Sequence, residues 1–252
     1  MIALLLAAAI DCAKFGYEPP AVPADASNRE LAEKYANGDG VKRNFDAAAY
    51  FLCKAEEEMA PAEFTGMTEH LQRMRAGKEK EPLDFCEYVT SGYGMSYCAH
   101  KQYEKVMPEL DRRLAPFPEA VRKPGLAYVR AESERIGEQS RGGTAYAAIA
   151  LGAEMTAKEQ LVAALERFSK ERAPAVSAAD AKRADAELNR VYRALERGDF
   201  LRNAQRAWIA YRDAFAAFYA ERWRGAASPE ALQREIVAQL TRERTAELKG
   251  NA

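Results

Sequence analysis

Apolar residues along this chain recur at every third or fourth position, in stretches separated by glycine and proline. That period belongs to helices that pack through one face. The first stretch carries Ala32, Tyr35 and Ala36 and stops at Gly38 and Gly40, where a left-handed backbone ends a helix without steric cost. The next has Phe45, Ala48, Ala49 and Leu52 in line, and small alanines let the two helices approach closely. Phe64 to Arg75 aligns Met67, Leu71 and Met74. Tyr103 to Leu114 reads as a helix with Pro108 as a start or kink, and a helix from Val121 to Gln139 follows the break at Pro116 and Pro118. Met155 to Lys170 aligns Leu161, Leu165 and Phe168. Ser177, with Asp180 three residues on, starts a helix through Leu188, Tyr192 and Leu195. Phe200 to Trp223 presents Leu201, Ala204, Trp208, Tyr211, Phe215 and Phe218 on one face, and Gly225 closes it. Ser228-Pro229 begins the last helix, with proline in the favoured first position and Leu232, Ile236, Leu240 and Leu248 along its core side. The expected fold is all-α: a helical hairpin followed by helical-bundle modules, with disulfides.

Breaks in the pattern divide the chain. Residues 1–9 are apolar but too short to span a bilayer, and they resemble a secretory signal with Ala7-Ala8-Ala9 as its small-residue cleavage site. Pro19, Pro20 and Pro23 make an extended lead-in. Gly77 to Pro82 reads as a linker, and Ala173-Pro174 as a second boundary. The expected segments are 1–9, 10–80, 81–173 and 174–252, the last a three-helix bundle.

Composition adds compartment and removes chemistry. Ala, Leu, Glu, Lys and Arg dominate over Val and Ile, which favours helix. The net charge of -1 gives no footprint for nucleic acid. From Ala175 onward 14 basic residues face 11 acidic ones, against 23 and 27 before it, so neither part sets up a strong steering field. Four cysteines, Cys12, Cys53, Cys86 and Cys98, in a chain with an export-like start point to two disulfides. Of the three possible pairings, Cys12–Cys53 with Cys86–Cys98 is preferred. The first ties the N-terminal tail to a helix, and the second closes a short loop through Thr90-Ser91-Gly92-Tyr93-Gly94. Each loop is worth about 3 kcal/mol by chain entropy.

His70 and His100 are the only histidines, and neither sits beside a nucleophile in an elbow or an activated-cysteine setting. Cys86, Cys98 and His100 fit no common zinc spacing. Gly142-Gly143-Thr144 lacks the rest of a phosphate loop. No cofactor, metal or catalytic residue is expected. A hydrolase would need a pair of acids lining a pocket, and nothing singles out two among 38.

Two resemblances sharpen this reading. The run Tyr35, Gly38-Asp39-Gly40-Val41, Ala47, Tyr50 and Lys54-Ala55 resembles a Sel-type repeat, a short relative of the tetratricopeptide repeat. Asp185, Leu188, Asn189 and Tyr192, then Gln205, Trp208 and Arg212, then Arg244 and Leu248, resemble the LprI-type lysozyme-inhibitor family over Ser177 to Leu248. A degenerate earlier copy is expected over 81–173. Glu109-Leu110-Asp111 echoes Glu187-Leu188-Asn189, and Leu126-Ala127-Tyr128-Val129-Arg130 echoes Arg206-Ala207-Trp208-Ile209-Ala210 at a similar offset. Trp208 is expected in the core, Arg212 and Asp213 as an ion pair, and Asn189 and Gln205 as a hydrogen-bonded pair across two helices. The resemblance implies an exported, periplasmic or secreted, non-enzymatic protein-binding module whose partner is lysozyme or another envelope hydrolase. The alternatives are a structural adaptor of the bacterial envelope without inhibitory activity and an envelope hydrolase.

Overall fold

The computed structural model describes Ile10, Cys12, Tyr17 and residues 27–195 and 198–250. The signal-like residues 1–9 and the prolines of the lead-in lie outside the described residues. Among those described there are nine α-helices and no strand. The chain forms two compact units, Met1–Cys98 and Ala99–Ala252.

The first unit contains α1 (Asn28–Asn37), α2 (Phe45–Lys54) and α3 (Pro61–Arg75). Ser27 caps α1 by accepting from the Glu30 amide, and Gly38, at φ 81°, ends it. Ala32, Ala36, Ala48 and Leu52 are fully buried where α1 meets α2, and Tyr35 stacks on Phe51 with ring centroids 5.6 Å apart. The alanines let the two helices close together, as their spacing predicts. The segment after α3 has little regular structure and is held by buried or partly buried polar side chains instead. Asn37 accepts from the Leu83 amide at 2.8 Å and donates to its carbonyl at 2.9 Å. Glu33 accepts from the Phe85 amide, and Glu63 accepts from the Ala60, Thr90 and Ser91 amides at 2.7–3.0 Å. Burial pushes the Glu63 carboxyl up, but these amides outweigh it and hold the carboxyl below its ordinary range. His70 is buried, donates from Nε2 to the Glu81 carbonyl and accepts at Nδ1 from the Tyr88 hydroxyl. The Arg29 guanidinium lies about 5 Å from the ring centres of Phe85, Tyr93 and Tyr97. Cys12 bonds Cys53, and Cys86 bonds Cys98.

α4 (Gly92–Leu114) begins in the first unit and continues into the second, which also holds α5 (Glu119–Glu138), α6 (Tyr146–Lys170), α7 (Ala178–Ala194), α8 (Asp199–Arg222) and α9 (Pro229–Gly250). α5 lies at the centre, packed on α6 and α8, and α9 packs on α7 and α8. One apolar cluster joins all six helices through residues such as Leu110, Val129, Leu161, Leu188, Phe215 and Ile236. Gly125 lets α5 approach α6, because a Cβ there would lie 2.8 Å from Leu161. Lys158, buried in α6, reaches Asp111 of α4 at 2.6 Å, and Arg113 grips Glu166 through two bonds. Past the break at 173–174, the Tyr219 hydroxyl accepts from the Ala173 amide at 2.7 Å.

The observed helices start well before the sequence-based boundaries in two places: α4 begins at Gly92, eleven residues before Tyr103 and inside the stretch read as a loop, and α6 also begins early. α6 starts at Tyr146, nine residues before Met155, because the alanine-rich stretch after Thr144 carries helix propensity without the apolar spacing that marks a packed face. Pro108 and Pro124 both lie inside helices. Tertiary packing of the surrounding apolar residues offsets the hydrogen bond that each proline removes.

All four cysteines belong to the first unit, so thiol reduction acts there. Closing loops of 12 and 41 residues contributes about 3 and 4 kcal/mol respectively by chain entropy. Adding reductant is expected to lower amide hydrogen-exchange protection across α1–α3. Unchanged protection there would show that the bridges add no stability.

Candidate functional site

The residues expected to carry function fall into two groups. On α7, Leu188 is buried while Asp185 and Asn189 face solvent. Asn189 donates to the carbonyl and the carboxylate of Asp185 at 2.9 and 3.0 Å, within its own helix. The expected Asn189–Gln205 pair is therefore corrected. Asn189 points outward and completes its bonds one turn back, while Gln205 turns to α9 and its oxygen lies 3.5 Å from Arg244 Nε. Tyr192 is partly buried against the core of the unit. Glu187 joins this surface to α9, pairing with Arg190 and Lys249 at 2.8 Å each. Hydrogen bonds from Arg190 and Lys249 hold its carboxyl at about 2.

The second group converges on α8 and α9. Trp208 is buried at 3% exposure. Arg212 lies over its ring at 5.3 Å and pairs with Asp213 at 2.7 Å. Leu248 is fully buried. Arg244, also at 0% exposure, anchors a polar network. Its Nη1 reaches Glu132 Oε1 at 2.9 Å, the Tyr128 hydroxyl oxygen at 2.9 Å and Glu247 Oε2 at 3.1 Å, and its Nη2 reaches Glu132 Oε2 at 3.0 Å. Arg135 grips the same Glu132 with two bonds at 3.0 and 2.7 Å, and the Tyr128 hydroxyl donates to Glu247 at 3.1 Å. The Tyr128 ring stacks on Tyr211 at 5.7 Å, 3° from parallel.

Charge in this network follows from burial set against partners. Burial pushes Glu132 up, but Arg135 and Arg244 outweigh it and hold its carboxyl below the ordinary range. For Glu247 burial prevails over Arg244, and the carboxyl is raised. Burial also raises the Tyr128 hydroxyl well above its ordinary value, so it remains a proton donor at neutral pH. Arg244 keeps its charge, because Tyr128, Glu132 and Glu247 outweigh the cost of its burial. Glu132 and Glu247 form an acid pair lining one cavity. Arg244 stands between the two carboxylates and Arg135 holds both oxygens of Glu132, which is how an ion-pair network is arranged, not an acid and a base left free for proton transfer. Among the described residues no group of three or more His, Cys, Asp or Glu side chains is placed to hold a metal, and no helix is long and apolar enough to cross a membrane.

Tyr128, Glu132, Arg135 and Glu247 were not singled out from sequence. Their signal is local: Glu132 and Arg135, and Arg244 and Glu247, stand three apart on their helices, and Tyr128 stands one turn before Glu132.

Residues 163–248, from the second half of α6 through α9, match the family model described as Lysozyme inhibitor LprI. An uncharacterised protein of Rhizobium meliloti (strain 1021) is 39% identical over an alignment of 89 residues, which covers 28% of this chain and 64% of that relative. No solved structure matches the chain.

Arg244→Leu leaves Glu132 and Glu247 buried around a lost charge and is expected to cost about 3–5 kcal/mol in chemical denaturation. Asn189→Ala, which removes bonds only within an exposed turn, is expected to leave the denaturation midpoint unchanged. The account of the network fails if the two variants are equally stable.

Proposed function

We propose that this chain is an exported, non-enzymatic protein-binding module that inhibits lysozyme or another cell-envelope hydrolase. The observation that carries the reading is the match of residues 163–248 to the lysozyme-inhibitor family. The motif positions in that span build the scaffold: Trp208, Arg244 and Leu248 fill or brace the core, while Asp185 and Asn189 lie on an outward face. Two disulfides suit the oxidising space outside the cytoplasm, which supports a periplasmic or secreted location and a leader in residues 1–9.

The duplication and the repeat belong to the same proposal. α5 packs on α6 as α8 packs on α9, and buried Tyr128 stands in the position that Trp208 holds in the later helices. These relations support 81–173 as a degenerate copy of 174–252. The α1–α2 hairpin, with glycine-ended α1 and alanine-lined contact, supports a Sel-type unit within 10–80. A single such hairpin is a docking element, and it favours the second reading, an envelope adaptor without inhibition.

A turbidity assay with purified protein and lysozyme separates the two. Slowed clearing of bacterial cell walls at micromolar protein is expected. Undiminished lysis at that level removes the inhibitor and leaves the adaptor.

A further inference from the structure

A groove runs between α6 and α9, which flank it while packing on α5 and α8 respectively. Gln160 and Glu247 border it along its length. At one end it opens into a cavity of about 380 Å³, lined among others by Tyr128, Glu132, Ala153, Ala157 and Glu247. The alanines make its wall low and apolar. The charged side chains lining this part are both carboxylates. Near the other end, Arg167 and Glu243 form an ion pair across the groove at 2.6 Å, and Arg244 lies on its inner side.

The orientation of the buried network sets the sign of this surface. Glu132, Glu247, Arg135 and Arg244 balance in charge, but they are not evenly placed. Arg244 is fully covered, and Arg135 faces a separate cavity with Glu138 and Phe200. Glu247, with 28% of its side chain exposed, faces the groove. The network is therefore polarised, with its negative end toward the open space. Low-dielectric walls on either side focus that field. A cation entering the groove meets Glu247 first, and Glu247 shares the Nη1 amino group of Arg244 with Glu132 and Tyr128.

We propose that the α6–α9 groove is the docking site for a lysine or arginine side chain presented by a protein partner, with the carboxylate of Glu247 as its counter-ion. This inference rests on the binding role proposed above and names the chemistry of the partner's contact. The aliphatic stem of such a side chain lies along Ala153 and Ala157, which leaves its charged head at Glu247. Of the side chains lining this cavity, Glu247 falls within the span that matches the inhibitor family, as do Glu243 and Ala246 farther along the groove.

The test uses the full chain as wild type, Glu247→Gln, Gln160→Lys and Gln233→Lys, titrated by calorimetry with lysozyme and separately with a short alanine peptide carrying three arginines. Gln160→Lys puts a positive charge on the exposed rim without touching the Arg244 network, so it guards against a folding defect in Glu247→Gln. Gln233→Lys makes the same charge change outside the groove. Both groove variants are expected to weaken each ligand about tenfold, with the control unchanged. Binding of the arginine peptide alone, lost in the groove variants, upholds the groove and removes lysozyme as its partner. Lysozyme binding that is equal in all four chains overturns the groove, as does failure of wild type to bind either ligand. Self-association of wild type that Gln160→Lys abolishes also overturns it, in favour of a second copy as occupant.

Discussion

The second unit depends on a guanidinium withdrawn from water. Arg244 has no exposed surface, and it reaches back more than a hundred residues in sequence to Tyr128 and Glu132. Burying a charge is costly unless every donor finds an acceptor. Here the cost is offset by two carboxylates, a phenol oxygen and the Gln205 amide, each on a different turn of α5, α8 or α9. An apolar contact tolerates sliding, whereas a fork of hydrogen bonds does not. The network thus sets the register of α9 over α5, and with it the width of the space left between α9 and α6. It also decides which charges face that space, because the arginines are covered and Glu247 is not.

The first unit solves a different problem. Its helices are short, and the segment from Leu83 to Ser91 has almost no ladder of its own. Buried or partly buried side chains substitute for that ladder: Asn37, Glu33 and Glu63 take up amides that regular structure would satisfy elsewhere. The Cys86–Cys98 bridge ties the same segment to α4, and Arg29 lies against Phe85 of the segment and Tyr93 and Tyr97 of α4. Covalent and polar ties thus do there what apolar packing does in the larger unit, as expected of a small core.

Much of the helical layout was legible in the sequence, because its signals are local. Gly38 ends α1, Ser177 caps α7, Pro229 opens α9, and the spacing around Trp208 marks a core face. The site was legible only in part. Asn189 and Gln205 both looked like partners for each other across two helices, yet Asn189 satisfies itself one turn back on α7 and Gln205 meets Arg244 of α9 instead. The role of Arg244 was hidden because its acceptors come from α5, and no local pattern states which distant helix a buried cation will meet. Glu132 and Glu247 look like ordinary surface acids until the packing around them is known. The start of α6 was missed because alanine propensity leaves no periodic mark.

Hydrogen-exchange mass spectrometry of the chain with and without saturating lysozyme tests the functional account most directly. The account requires slowed exchange in α6 between Ile149 and Gln160 and in the last two turns of α9, on the two walls of the groove. Protection confined to α1–α3, or none anywhere in the second unit, would contradict it.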